Sequence, residues 1–164
     1  MAMSERVRQL LERNGVSYLV HPHRELFTAQ EVAQVTHVPG RCLAKAAVVS
    51  DNEDGHVLYV LPSPEHVRLD LFRRLARLEH LQFATEAEIA PLFPDCELGA
   101  IPPFGQLYGL TTYVDPCLLR CEWVYFLGGS HRELIGIRGE DFERLERPSK
   151  IAGCAHASPE PVYS

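Results

Sequence analysis

The chain has 164 residues, of which 46% are hydrophobic and 23% are charged. This composition is typical of one globular domain with an apolar core and excludes a chain that is disordered throughout. The formal net charge is -6, and the acidic excess lies entirely in residues 83–164, with six Lys and Arg against twelve Asp and Glu. Because phosphate affinity is built from Lys and Arg, a broad nucleic-acid groove is excluded, whereas a local basic face in residues 1–82 is not.

The expected compartment is the cytosol. No apolar run approaches the roughly 20 residues that span a bilayer, and the polar start of the chain lacks the apolar centre of a signal peptide. The five cysteines are odd in number and scattered along the chain, so we expect reduced thiols and no disulfide framework. Cys117 and Cys121 lack a second pair that would complete four ligands, so we expect no zinc site.

Periodicity and turn residues predict the elements of the first half of the chain. Thr28 and Glu31 have the spacing of a capping box at the start of a helix. Gly55 ends a turn between two β-rich runs, which is typical of a hairpin. The predicted elements are a helix over 4–14, a strand over 16–20, a helix from 28, strands over 43–50 and 57–61, a helix over 67–78 and a strand over 81–84.

In the second half, Thr85 and Glu88 form a second capping box, and the glycines and prolines of 96–109 indicate a shaped loop. The further predicted elements are strands over 110–114, 123–127 and 133–138 and a helix over 140–145. This irregular alternation indicates the α+β class, with one mixed or mostly antiparallel sheet. We expect a single domain over 1–148, followed by a tail over 149–164 without core contacts.

Lys45 lies in an apolar run with the pattern of an inner strand, and the chain has only two lysines against fourteen arginines. A buried ammonium must find a partner, reach solvent or shift its pKa. A compact point charge suits a phosphate or a carbonyl oxygen. The alternative is a lysine on an edge strand that extends to water.

The loop 97–105 combines glycines, which let a ligand approach main-chain amides, with prolines, which fix the loop in advance. Such amides can stabilise an oxyanion, although a tight connection without function would have the same composition. The segment 128–131 follows a strand and could form a second wall. His131 there either orients a substrate hydroxyl or a water, or is merely solvated. Arg73, Arg74 and Arg77 could contact RNA but have the spacing of a solvated helix face.

These motifs, in this order, resemble the YbaK/ProX family of aminoacyl-tRNA editing domains over residues 4–147. The resemblance rests on short motifs at fixed relative positions: the 28–31 helix start, Ala44-Lys45, Val67 to Leu71, Gly99-x-x-Pro102 with Phe104-Gly105, and Gly128-Gly-Ser130. It implies a mixed, mostly antiparallel, partly barrel-like sheet flanked by helices.

The resemblance also implies a cytoplasmic hydrolase that acts in translation fidelity and removes a wrong, small amino acid such as Cys, Ala or Ser from the 3′ end of a tRNA. A synthetase is a further candidate partner, and no metal, organic cofactor, DNA or membrane is implied. Lys45 corresponds to the family's essential lysine, and Gly99 and Ile101 are the other catalytic candidates. The substrate-binding candidates are Ala46, Ala100, Pro102, Phe104, Gly105, Gly129, Ser130 and His131.

Ala46 departs from the family pattern, in which many members have Thr or Asn after the lysine. A polar side-chain contact is therefore missing, and the amino-acid specificity stays open. Two rival hypotheses remain. The first is a non-catalytic module that binds aminoacylated tRNA ends or a synthetase. The second is a metal-binding protein built on His21, His23 and the cysteines.

Overall fold

A computed structural model describes residues 2–24, 29–51 and 55–156. The helices are α1 (Glu5–Arg13), α2 (Ala29–Thr36), α3 (Leu69–Ala76), α4 (Glu86–Leu92), α5 (Pro116–Leu119) and α6 (Gly139–Glu146). The strands are β1 (Tyr18–Pro22), β2 (Ala44–Ser50), β3 (His56–Pro62), β4 (Glu65–Val67), β5 (Gln82–Phe83), β6 (Thr111–Val114), β7 (Trp123–Leu127), β8 (Glu133–Arg138), β9 (Ser149–Lys150) and β10 (Cys154–His156). The α+β class is confirmed.

The strands form three sheets instead of the single sheet that was expected. Five strands form a mixed sheet in the order β5-β2-β3-β6-β9, in which β3, β6 and β9 run parallel. Three strands form an antiparallel sheet in the order β1-β8-β7, and β10 pairs with β4. In the described part of the chain, a single parallel bridge between Leu43 and Tyr125 joins the five-stranded sheet to the three-stranded sheet.

Strand β2 is paired unequally along its two edges. Its inner edge pairs with β3 over the whole of Ala44–Ser50. On its outer edge, β5 pairs only with Val49 and Ser50, and the bridge to β7 is formed by the preceding Leu43. Between these two points, no strand of the described ranges forms a ladder with the outer edge of β2. This interval is the outer gap of β2.

The main core lies between the sheets and helices α1, α5 and α6, and it combines aliphatic side chains with four phenylalanine rings. Phe104 is fully buried and meets Phe126 edge to face at a centroid distance of 5.3 Å and Phe142 at 5.7 Å. Such aromatic pairs stabilise a core beyond their buried area. The loop that carries Phe104 is thereby fixed to β7 and α6.

The expectation that residues 149–164 make no core contacts is wrong for 149–156. The Tyr59 hydroxyl donates to the Ile151 carbonyl at 2.7 Å and accepts from the Gly153 amide at 2.8 Å, and Cys154 pairs with Val67. Tyr59 is fully buried, so its hydroxyl requires hydrogen-bond partners, and the main chain of this segment supplies them. These contacts order the segment despite its Ser- and Gly-rich composition. Residues 157–164 lie outside the described part of the chain.

The expectation of reduced thiols is wrong for two cysteines, since Cys42 and Cys121 form a disulfide with a Cα–Cα distance of 5.9 Å. The two residues are 79 positions apart in sequence, so that spacing alone could not pair them. Each of them lies two residues before a strand, Cys42 before β2 and Cys121 before β7. Cys96, Cys117 and Cys154 remain thiols.

Of the two predicted capping boxes, the one at Thr85 and Glu88 is confirmed in both directions. The box at Thr28 falls outside the described residues, as do residues 52–54 of the predicted turn. Within the described ranges, no helix combines the length and the apolar character that crossing a membrane requires.

Candidate functional site

A cavity of about 90 Å³ lies at the outer gap of β2. Its walls come from β2, from the loop 99–101 and from the end of β7. The lining residues are Val32, Leu43, Ala44, Lys45, Ala46, Gly99, Ile101 and Leu127. Since one water needs roughly 10–15 Å³ of such space, the cavity holds a group of a few heavy atoms. A second, more open pocket of about 400 Å³ shares Ala46, Gly99 and Ile101 with it.

Lys45 is half-buried at the rim of this cavity. Side chains alternate across a strand, so Lys45 leaves the sheet on the face of Leu43, and Ala44 and Ala46 pack on the opposite face against the main core. Burial lowers the pKa of the Lys45 ammonium, and the neighbouring Cys154 and Glu65 act in the opposite direction. A partly desolvated cation interacts more strongly with an anion than an exposed one does.

The loop 97–101 is held by main-chain hydrogen bonds to the segment 128–131. The Glu97 amide donates to the Gly129 carbonyl at 2.9 Å, and the Gly129 amide donates to the Ala100 carbonyl at 2.8 Å. Gly99 has a φ of +84°, which favours glycine over any other residue. These hydrogen bonds fix the shape of the loop in the absence of a ligand.

His131 supports this loop from behind. It is 3% exposed, and its Nε2 lies 2.6 Å from the Leu98 carbonyl oxygen. Because a carbonyl can only accept, Nε2 carries the proton in this contact. The alternative of a solvated surface histidine is therefore wrong, and His131 holds the loop through the Leu98 carbonyl while it lines the neighbouring pocket.

The structure brings four of the predicted site residues to one cavity: Lys45, Ala46, Gly99 and Ile101. The remaining candidates lie outside its lining and are buried behind the loop or in the adjoining segment, namely Ala100, Pro102, Phe104, Gly105, Gly129, Ser130 and His131. They position the lining residues in the described state.

Glu146 is a functional candidate that was missed at the sequence level. Its side chain is buried and accepts hydrogen bonds from the Gln106 amide at 3.2 Å and from the Thr112 hydroxyl, which itself accepts from the Gly105 amide at 3.0 Å. The end of the 99–105 loop is thereby tied to α6. The available signal was the spacing of Phe142 and Glu146, which places both on one helix face.

Burial raises the pKa of Glu146 to about 7. The folded protein therefore binds a proton at this carboxyl that the unfolded chain has already released, so the stability contribution of Glu146 falls as pH rises from about 4.5 to 7. Glu146→Gln should remove this dependence, and its gain over wild type at pH 8 should reach at most about 3 kcal/mol. Urea unfolding of both proteins at pH 5 and pH 8 measures it, and parallel pH profiles would contradict the assignment.

Among the described residues, no group of three or more His, Cys, Asp and Glu side chains is placed to hold a metal ion. The hypothesis built on His21, His23 and the cysteines thus lacks a ligand cluster there. The acid and base groups expected of a hydrolase are also sparse, since Lys45 is the sole ionisable residue among the described residues that line the cavity.

Comparison with known proteins identifies the family and similar folds. The sequence model of the aminoacyl-tRNA editing domain matches residues 23–145. A crystal structure of the hypothetical protein APE2540 superposes with a TM-score of 0.83 at 20% identity, covering 92% of this chain and 100% of that one. A structure reported as a candidate trans-editing enzyme for prolyl-tRNA synthetase superposes with a TM-score of 0.76 at 26% identity, covering 93% and 96%. No curated protein gives a significant match.

Proposed function

This chain belongs to the aminoacyl-tRNA editing domain family, and from that membership we propose that it is a trans-acting deacylase. It hydrolyses the ester bond between a small amino acid, such as Cys, Ala or Ser, and the 3′ end of a mischarged tRNA. The observation that carries the proposal is the cavity in which Lys45 stands beside the fixed loop of Gly99 and Ile101. A cation and main-chain amides around a small space match a terminal phosphate and an adjacent ester.

In the proposed mechanism, the Lys45 ammonium binds the phosphate of the terminal adenosine. The amides of Gly99 and Ile101 donate to the ester carbonyl oxygen as it gains negative charge. The Ala100 amide already donates to the Glu97 carbonyl at 3.0 Å, so it maintains the loop instead.

A water oxygen then bonds to the carbonyl carbon, the bond to the ribose oxygen breaks, and that oxygen takes up a proton. Because the described residues that line the cavity offer no carboxylate or imidazole, the vicinal ribose hydroxyl of the substrate assists the water. An aminoacyl ester is intrinsically reactive, so orientation and charge stabilisation supply the remaining acceleration.

Selection of the amino acid is steric. Val32, Leu43 and Leu127 contribute apolar walls to a space of about 90 Å³. One missing methylene changes binding by only about 1–3 kcal/mol, so a pocket of this kind discriminates best by excluding what is too large. Larger cognate esters are thereby rejected, and a synthetase that releases its mischarged product would be the upstream partner.

The test is a panel of tRNAs carrying Ala, Ser, Cys, Pro and a larger residue, incubated with the purified protein. We expect release of at least one small amino acid well above the spontaneous rate and none of the larger residue. Tight binding of the charged tRNAs with every ester recovered intact would overturn the hydrolase and favour the non-catalytic module.

A further inference from the structure

The main chain of Ala46 points into the cavity. In an antiparallel strand, each residue directs both its N–H and its C=O to the same side, and the side alternates along the strand. The Leu43 carbonyl accepts from the Ser63 amide at 2.8 Å on the β3 side, and the Val48 carbonyl accepts from the Ala84 amide at 3.0 Å on the β5 side. Ala46 has the parity of Val48, so both of its main-chain groups face the outer gap.

The outer gap offers these groups no ladder partner in the described ranges, since β5 pairs only from Val49 onward and β7 forms its bridge at Leu43. Across the gap stand Gly99 and Ile101 of the fixed loop and Leu127 of β7. Main-chain N–H and C=O groups require hydrogen-bond partners, and groups without a ladder partner can bind a ligand. The edge at Ala46 is therefore suited to a ligand in which an N–H donor and a carbonyl acceptor are separated by one carbon, as they are in an amino-acid residue.

An aminoacyl ester has that order. Its ammonium, α-carbon and carbonyl follow one another as the amide, α-carbon and carbonyl do in a strand residue. Placed opposite Ala46, such a group can exchange two hydrogen bonds as a hydrogen-bonded antiparallel pair does. The volume of the cavity, about 90 Å³, accommodates one such unit.

We propose that Ala46 binds the aminoacyl group through its main chain, with the Ala46 carbonyl accepting from the α-ammonium and the Ala46 amide donating to the ester carbonyl. The substrate thus takes the place of a single residue of a missing strand. This inference rests on the deacylase proposal and adds to it the residue that reads the α-amino group. Because the Ala46 side chain packs toward the main core, recognition does not require the Thr or Asn that relatives have here.

The amide can be removed selectively by replacing Ala46 with L-lactic acid, which substitutes an ester oxygen for the N–H. The matched control is Val48 replaced with 2-hydroxyisovaleric acid, which removes an N–H on the same edge beside β5. The probe is adenosine carrying alanine through a non-hydrolysable 3′-amide, and a second probe carries a propionyl group that lacks the α-amino nitrogen. Calorimetry gives the dissociation constants, and urea unfolding checks that each variant folds.

We expect the Ala46 replacement to weaken binding of the alanyl probe about tenfold, as for one lost hydrogen bond. The Val48 replacement should change it less than twofold. Wild type should bind the propionyl probe about ten- to a hundredfold more weakly, because a contact to the charged ammonium is lost.

Unchanged affinity in the folded Ala46 variant, or equal affinity of wild type for both probes, would overturn the main-chain contact while leaving deacylation intact. A wild-type protein that neither binds the alanyl probe nor deacylates any tRNA would instead overturn the proposed function, and this inference with it.

Discussion

Lys45→Ala is expected to lower deacylation of the best mischarged tRNA by about 10²-fold or more, the size of effect seen when one preorganised charge-stabilising donor is removed from an active site. The lost group is a half-buried cation in the wall of a cavity, and no other described residue of that wall is ionisable. Burial lowers the pKa of the ammonium, so its removal should leave stability unchanged or slightly higher. Single-turnover deacylation and urea unfolding measure the two quantities separately.

Lys150→Ala is the matched control, because Lys150 is the other lysine of the chain and its side chain is 52% exposed in an ion pair with Glu143. It should deacylate at the wild-type rate. Lys45→Arg keeps the charge but adds a planar, larger head, and should recover only part of the activity. Deacylation by Lys45→Ala at the wild-type rate would show that Lys45 has no part in the mechanism.

Phe104→Ala is expected to destabilise the fold by about 3–5 kcal/mol, because it deletes a fully buried ring that packs against Phe126 and Phe142. The loop 99–105 should lose its anchor at the same time. Thermal and urea unfolding measure the loss of stability.

Phe83→Ala provides the comparison, since Phe83 is 53% exposed on the short strand β5 and its truncation should cost at most about 0.5 kcal/mol. Phe104 was predicted from the family resemblance to bind substrate, whereas the structure places it in the core. Under conditions where Phe104→Met stays folded, we expect near-normal deacylation. A large rise in the KM of Phe104→Met at unchanged stability would show that Phe104 contacts the substrate.

The long, periodic elements were predictable from sequence alone. The strands over 123–127 and 133–138 match their predicted bounds, and the first helix and the helix before Arg147 differ by a residue or two. Each of these elements is long enough for the spacing of its apolar residues to indicate a helix or a strand. Strands β4, β9 and β10 have two or three residues each, too few for a period, and they exist because partners elsewhere in the chain pair with them.

The candidate site was predictable in part for the same reason. Lys45 and Gly99 stand out by residue type, as a charge in an apolar strand and a glycine in a proline-rich loop. The outer gap of β2 depends on where β5 and β7 stop pairing with it. The residues of β2 alone do not predict those positions. Glu146 required knowledge of which face of α6 is buried, and the disulfide required the approach of two residues 79 positions apart.

The disulfide has a geometric consequence for the cavity. It joins the chain just before β2 to the chain just before β7, and the Leu43–Tyr125 bridge lies immediately beyond it. Ala46 and Leu127, which lie further along these two strands, both line the cavity. A covalent bond therefore limits how far the two walls can separate at this end of the cavity, whichever aminoacyl group enters it.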